Sequence, residues 1–526
     1  MVGAIFVKDL HFGLTCDWAT PIKISRSLPN RALLLPSASS RRVDKHPEPV
    51  THMTTTILVS ITIAFGAISW IYSAVFLALV SENQRFWKVH RDSTTPYAHT
   101  YARSCIIIPC KGLEHQLREN LTSFMRQDHP NYEIFFVVER GTDPAVKLIQ
   151  NVQQENRCVQ SRLIIAGRSE NCGQKVHNIR QATKQLSKEI DVLVFADSDA
   201  NPDKTWLRWL VNGIGRENLG ARTGYRWMMP RKNNFPTLVV CTINNALASM
   251  LGRGKHYLVW GGSWAIHRKV FEAIGVRQAW FGVLSDDLVA SRAIQRAKLE
   301  IEFEPQCVCS SRVSFNTSQM FEFLRRQFLI GRRHSPKYWY GTLFLVASSQ
   351  IGFWASIALG VWGVATGSQL GFWALLSAGL LYVMGVVRAG IRQNIGKRTF
   401  HQWRQYRKAR KFDMFAGPVT GLMTLMALIQ SMFGSEIIWR GIRYFIGGGG
   451  RVMVLGREMP AGDWIVDTTE APMPADAASP SVAESPALPA LEAESEFRPD
   501  GQRHLIPFPG SAGEADGRGN SRPKSA

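Results

Sequence analysis

Two aspartates one residue apart, Asp197 and Asp199, come after an uninterrupted apolar run, Val192–Ala196. A run that short and that hydrophobic predicts a strand buried on both faces of a parallel sheet. Ligands of open α/β sheets sit just beyond the carboxyl ends of the strands, so one turn there can aim both carboxylates at a divalent cation. Enzymes of nucleotide phosphates hold magnesium or manganese with one or two carboxylates plus substrate phosphates. Mn2+ or Mg2+ is therefore the expected cofactor, with Asp197 and Asp199 as its protein ligands. Asp and Ser also favour plain turns, so the pair draws its meaning from the rest of the chain.

A second acidic pair, Asp286 and Asp287, heads the helical stretch Leu288–Ala297. Aspartate at a helix start is often a cap. Adjacent carboxylates point to different sides, so Asp286 is expected to cap the helix while Asp287 faces a pocket. A carboxylate facing a pocket can serve as a general base, and basic side chains nearby can take up negative charge on a phosphate group. Lys175, Arg332 and Arg333 are candidates for that role; solvated basic residues on a membrane-facing helix are the plain alternative. Gly261-Gly262-Ser263, after Trp260, allows close backbone approach to a ligand, or makes an ordinary turn. His177 is expected to be structural.

These side chains need a scaffold, and the apolar pattern supplies one. Strand-like runs at Cys105–Ile108, Ile134–Val138, Leu163–Ile165 and Val192–Phe195 alternate with helical stretches at His115–Met125 and Lys175–Leu186. That alternation predicts an α/β domain on a parallel sheet with right-handed crossovers. Four segments, Thr54–Val80, Tyr340–Thr366, Leu370–Val387 and Phe415–Phe433, are apolar enough to be read as membrane spans, at about 1.5 Å of rise per residue. The chain thus divides into an N-terminal extension (1–53), a transmembrane helix (54–80), the α/β domain (81–339), a region of about three spans (340–446) and an acidic Ala/Pro-rich tail (447–526). The tail is expected to be disordered.

A formal charge of +21 raises the question of nucleic acid, but the basic residues crowd at membrane edges. Arg325, Arg326, Arg332, Arg333 and Lys337 precede the second span, and Arg388 to Lys411 comes after the third. Such clusters mark the cytoplasmic side and attract anionic lipid headgroups. No zinc-finger spacing or RNP-type pattern accompanies them, so no nucleic-acid partner is expected. Eight scattered cysteines suggest no disulfide framework. Charge places the 81–339 block in the cytoplasm, at the plasma (inner) membrane in a bacterium. Basic residues in 1–53 conflict with that orientation, a conflict that translation from Met53 would remove.

The motifs come in a telling order: Ile106-Ile-Ile-Pro-Cys-Lys111-Gly112, Gln127-Asp-His-Pro130, Asp143-Pro-Ala145, Gly173-Gln-Lys175-Val-His-Asn178, Asp197-Ser-Asp199, Gly261-Gly262-Ser263, Leu284-Ser-Asp-Asp287, then Arg326-Gln327 and Gly331-Arg332-Arg333. Over roughly residues 100–340 the chain resembles membrane-bound family 2-type glycosyltransferases, most closely the ceramide glucosyltransferase-like branch. The resemblance implies a GT-A fold, a nucleotide-diphospho-sugar domain flanked here by transmembrane helices. It implies Asp287 as catalytic base and Asp197 and Asp199 as the carboxylates that hold a metal against the diphosphate. It also implies Lys111, Asp143, Lys175, Asn178, Gln327 and Arg332 on the donor, with Glu139 as a rival of Asp143. Gly262, Ser263 and Asp286 fall on the acceptor side. The family's Gln-x-x-Arg-Trp motif is absent in that form; Gln327 and Arg332 are more widely spaced and no Trp comes after the Arg.

Asn316–Trp339 reads as an amphipathic interfacial helix, with Phe321, Leu324 and Phe328 on one face. A site held there suits a hydroxyl on a membrane lipid. The expected activity is inverting transfer of a sugar, glucose first, from a UDP-sugar to ceramide or diacylglycerol. A processive polysaccharide synthase and a non-catalytic basic membrane scaffold are the alternatives.

Overall fold

The apolar runs of the first half become adjacent strands. In the computed structural model, described at residues 49–93, 102–255, 257–458 and 464–466, a long helix α1 (Pro49–Asp92) comes first. Next are β1 (Ser104–Pro109), α2 (Leu117–Met125), β2 (Tyr132–Val138), α3 (Ala145–Glu155), β3 (Gln160–Ile165), α4 (Gln174–Thr183) and β4 (Val192–Ala196). Then come α5 (Trp206–Val211), β5 (Leu219–Thr223), β6 (Arg226–Pro230), α6 (Phe235–Ala248), β7 (Ser263–His267), α7 (Arg268–Ala273), α8 (Val276–Ala279), α9 (Asp286–Arg296), β8 (Glu300–Phe303) and β9 (Cys309–Val313). Residues 1–48 of the expected N-terminal extension, and all of the tail after Glu458 but 464–466, lie outside the described residues.

The main sheet has seven strands in the order β3-β2-β1-β4-β7-β5-β8. β1 to β4 are mutually parallel, and the apolar runs of β1, β2 and β4 are buried while β3, at the sheet edge, is partly exposed. β7 enters antiparallel between β4 and β5, pairing Ala196 with Ser263. That reversal carries the Gly261-Gly262 turn to the end of β4 where Asp197 and Asp199 emerge. Phe195 stacks on Trp264 across this pair, centroids 4.4 Å apart, so the site's floor is solid aromatic core.

α10 (Thr317–His334) opens on a capping box in which Asn316 and Gln319 bond each other's backbone N–H. It ends at His334, short of the expected Trp339, because Pro336 starts a new helix and restricts the residue before it. α11 (Pro336–Ala365) and α12 (Gln369–Thr399) come next. With α1 they make three helices, among the described residues, that are long and apolar enough to cross a membrane. The fourth expected span, Phe415–Phe433, is a bent pair: α13 (Arg407–Phe415) and α14 (Gly417–Gln430) meet at 78°. Fourteen residues reach only about 21 Å against a hydrocarbon core of about 30 Å, and Pro418 restarts the helix after the break.

The largest departure from expectation lies beyond α14. Residues expected to finish the spans and begin a disordered tail form an antiparallel sheet: β10 (Glu436–Trp439), β11 (Ile442–Ile446), β12 (Val452–Glu458) and β13 (Trp464–Val466). Ile442, Tyr444 and Ile446 alternate inward while Arg443 and Phe445 face out, the period of a half-buried strand. Ile437, Val452 and Val454 join them against Cys172, Leu284 and Leu329. Arg440 and Gly441 link β10 to β11 with φ of 55° and 70°, the backbone of a two-residue I′ hairpin.

Candidate active site

The Asp197-Ser198-Asp199 loop is held from its middle residue. Ser198 is buried; its hydroxyl donates to Glu114 Oε2 at 3.1 Å and its carbonyl accepts from Asn120 Nδ2 at 3.1 Å. Both flanking carboxylates are thereby left at the cavity. Asp197 meets Lys175 Nζ at 2.7 Å, and Asp199 lies 3.9 Å from Arg226 Nη1. Burial, with Asp197 beside it, pushes the Asp199 carboxyl above its ordinary range.

Lys175 joins the two acidic pairs. The same ammonium reaches Asp286 Oδ1 at 3.3 Å and the Gly261 carbonyl at 3.4 Å. Burial alone would lower its pKa; Asp197, Asp286 and Asp287 outweigh that and the net direction is up. Asp286 is pushed by burial to about 7, Lys175 opposing and Asp287 and Asp197 adding to the rise. Its Oδ2 is buried without a hydrogen-bond partner among the described residues.

The expected division of labour between Asp286 and Asp287 needs one correction. The cap of α9 is Ser285, whose hydroxyl accepts from Leu288 N; Asp286 turns inward to Lys175 instead. Asp287 Oδ1 accepts from the Ser285 hydroxyl and from Leu288 N, and Oδ2 lies 3.4 Å from Gly261 N. Two donors on one oxygen fix the carboxylate's orientation on the cavity wall.

The glycines before β7 have a steric reason. A Cβ on Gly261 would come within 2.9 Å of Lys175 Nζ and 2.8 Å of Asp286 Oδ2, and one on Gly262 would run into Trp260 and within 2.8 Å of Asp197 Oδ2. Ser263 differs from expectation. It is fully buried, accepts from Trp206 Nε1 at 2.8 Å and donates to the Cys307 carbonyl, so its hydroxyl serves the core and not an acceptor.

All of this opens on one cavity of about 710 Å³. Lys111, Lys175, Asn178 and the four aspartates form its polar side. Met228, Val240, Ile243, Leu247, Phe323 and Phe328 form an apolar side between α6 and α10. Lys111 pairs with buried Glu139 at 3.3 Å, and Asn178 accepts from Gln174 Nε2 at 2.8 Å. Asp143 does not line the cavity: its Oδ1 accepts from Gly112 N and Ala145 N, both at 2.9 Å, and so braces the loop carrying Lys111.

On α10 the structure selects Gln327 and passes over Arg332. Gln327 lines the cavity. Arg332 donates to the carbonyls of Met432 and Gly434, Arg333 to Ser435, and Arg325 to Phe433 and Glu436. Positions 325 and 332 share one helix face, and it faces the protein's own C-terminal segment. These arginines, read from sequence as headgroup or diphosphate ligands, are therefore engaged internally.

Arg326 and Arg226 are the cavity residues that the spacing argument missed. Arg326 lies 5.6 Å from the Phe323 centroid and 5.5 Å from that of Trp439; Arg226 lies 5.7 Å from Phe323 and 5.9 Å from Trp260. Burial, with Arg226 nearby, lowers Arg326 to about 10. Arg326 occurs in the Arg326-Gln327 pair, and its i+3 relation to Phe323 is the signal that could have separated it from Arg332. Trp439, Arg440 and Tyr444 also line the cavity, and nothing before β10 announces them.

The carboxylates fit a divalent cation. Burial first, and then the neighbouring Asp197, raise the Asp199 carboxyl, and a cation between the two carboxylates would offset both. Among the described residues no three His, Cys, Asp or Glu side chains gather as metal ligands, so an ion here would draw further oxygens from its substrate.

Solved structures to which the chain shows similarity include the mannosyltransferase PcManGT of Pyrobaculum calidifontis in complex with GDP-Man and Mn2+: 15% identity, 69% of this chain and 99% of that one, TM-score 0.35. The chain is also similar to GalNAc-T7, solved with UDP, GalNAc and Mn2+, at 12% identity, 45% and 49% coverage and TM-score 0.32. A third is glucosyl-3-phosphoglycerate synthase of Mycobacterium tuberculosis, at 16% identity, 43% and 79% coverage and TM-score 0.27. Residues 70–452, a stretch running from α1 to the start of β12, match the sequence model of glycosyl transferase family 21. The match covers well over half of the sequence, so the chain, with its α/β fold on a mostly parallel sheet, belongs to that family.

Proposed function

We propose that this glycosyltransferase moves a hexose, glucose being the first candidate, from a UDP-sugar to the hydroxyl of a membrane lipid, ceramide or diacylglycerol, with inversion. The observation that carries the reading is the meeting of Asp197, Asp199 and Asp287 in one cavity whose other side is the apolar surface of α6 and α10. Asp287 takes the proton of the acceptor hydroxyl as that oxygen attacks the anomeric carbon opposite the diphosphate. One C–O bond forms, the bond to the diphosphate breaks, and the pair of electrons leaves with the nucleotide. A bound Mn2+ or Mg2+ would be held by Asp197 and Asp199 and would neutralise charge on the leaving diphosphate. Lys175 keeps the acidic pairs apart in charge, and Lys111, Asn178 and Gln327 line the donor's route. The apolar side chains exclude water and receive the lipid.

α1, α11 and α12 carry the membrane assignment, and the catalytic domain is placed in the cytoplasm, where sugar nucleotides are made. Cys172 and Cys241 are buried, whereas Cys158 is exposed, so Cys158 is the thiol for a sidedness test. An impermeant reagent should spare it in sealed cells; labelling there would reverse the orientation. For the activity, the purified full chain with Mn2+ and radiolabelled UDP-glucose should label ceramide or diacylglycerol in micelles. Label in a long water-soluble glycan would instead identify a polysaccharide synthase, and full activity in excess chelator would remove the metal.

A further inference from the structure

The sheet beyond the last apolar helix reaches the polar side of the cavity at three separate points. At the hairpin tip Arg440 forms an ion pair with Glu114. Glu114 in turn accepts the hydroxyl of Ser198, the residue between Asp197 and Asp199. On the next strand the buried Tyr444 hydroxyl accepts from Gln174 N at 3.1 Å, at the first residue of α4 and one step before Lys175. On β12 Arg457 donates to Glu139 at 2.9 Å, to the Ser169 carbonyl at 2.7 Å and to Gln174 Oε1 at 3.1 Å. Glu139 is the partner of Lys111.

We infer that the β10–β12 sheet is a working part of the donor site, and that Arg440, Tyr444 and Arg457 are positioning residues for the groups that take the nucleotide diphosphate. A sheet present only for packing would touch the domain through its apolar face, and Ile442, Ile446, Val452 and Val454 already provide that. The three polar side chains do something else: each ends one residue or one side chain away from Asp197 and Asp199, Lys175 or Lys111. Arg440 also occupies the left-handed region, φ 55°, which disfavours a residue with a Cβ and which Asn or Gly would fill more easily. Trp439 and Arg440 also line the cavity. Arg325 holds the first residue of β10 to α10, and Arg332 and Arg333 hold Gly434 and Ser435 just before it, so the helix that bears the apolar side also anchors the donor strap.

The inference rests on the nucleotide-sugar reading above, and its test separates the two. Affinity for UDP with Mn2+, donor KM, acceptor KM and kcat are measured on the full chain in detergent, beside its melting temperature. Tyr444→Phe keeps the buried ring and removes the acceptor for Gln174 N; Arg440→Ala and Arg457→Gln break the other two links. Each should raise the UDP Kd and the donor KM about fivefold, the usual worth of one such bond, with acceptor KM and melting temperature near wild type. Arg457→Lys should recover part of the loss, and Arg443→Ala, on the outward face, should change nothing. Unchanged UDP affinity and donor KM in Tyr444→Phe and Arg440→Ala would overturn the strap while leaving the function intact. A wild-type protein that binds neither UDP nor UDP-glucose would overturn the donor reading and the strap with it.

Discussion

On one side of the cavity the Lys175 ammonium stands among Asp197, Asp286 and Asp287, with Asp199 next to Asp197 and Lys111 held by Glu139. On the other, two guanidiniums, Arg226 and Arg326, lie against aromatic rings, and Arg226 comes no nearer than 3.9 Å to Asp199. The polar side is short of positive charge and answers to a cation and a diphosphate. The apolar side buries its charge against Phe323, Trp260 and Trp439, where ring faces replace carboxylates as partners. A ligand satisfied by both sides has an anionic end and a greasy end, or is two ligands that meet between them.

The contrast is sharpest at Asp287, which stands where the sides join. Asp287→Asn keeps the Ser285 and Leu288 contacts available and removes the base. Transfer should fall about 10²–10⁴-fold while UDP affinity stays near wild type; equal loss in Asp286→Asn, or greater, would exchange the two roles. Asp199→Asn should come next, with transfer down about 10²-fold and, unlike Asp287→Asn, a loss of Mn2+-dependent UDP binding seen by calorimetry. The apolar side should respond in the other substrate. Ile243→Glu puts a carboxylate there and should raise the lipid KM about tenfold or more, with slow hydrolysis of UDP-glucose retained. A rise in donor KM instead would erase the distinction between the two sides.

The smallest effect is on stability. The Asp286 carboxyl, raised to about 7 by burial, holds its proton more tightly in the folded protein than in the unfolded chain. Its contribution to folding is therefore full below the unfolded value of about 4 and is lost as pH rises through about 7. The melting temperature of wild type relative to Asp286→Asn should fall across that window. A flat difference would mean that Lys175 keeps Asp286 ionised throughout.

Much of the polar side was readable in the chain. An unbroken run such as Val192–Ala196 has few options besides a buried parallel strand, and a parallel strand delivers the loop at its carboxyl end to the ligand edge of the sheet. Asp197 and Asp199 came out of that logic, Lys175 and Asp287 out of the ordered motifs of the family resemblance, and the four line one cavity. The candidates that turn away from the cavity do so for a reason that one coordinate would have supplied. Ser263 and Asp143 occupy the right loops but turn into the core or the backbone. Arg332 and Arg326 are both basic residues of one amphipathic helix; which of them faces the cavity depends on a helix face whose partner, residues 432–436, lies far along the chain.

The sequence by itself determined the parallel strands β1 to β4, the acidic pair that leaves β4 at the ligand edge of the sheet, and the three long segments, now in α1, α11 and α12, that are apolar enough for a membrane. These properties belong to a few consecutive residues, set by local period and composition. Only the tertiary structure decided how the C-terminal segment is used. Residues 436–458 are short strands broken by an Arg-Gly turn and a run of four glycines, with no composition of their own to mark them as a domain. They become a sheet because Cys172, Leu284 and Leu329 offer an apolar face to cover and because Glu114, Gln174 and Glu139 present polar groups to pair. A strand's period states that it has an inner face; the surface that face meets is fixed only when distant parts of the chain arrive.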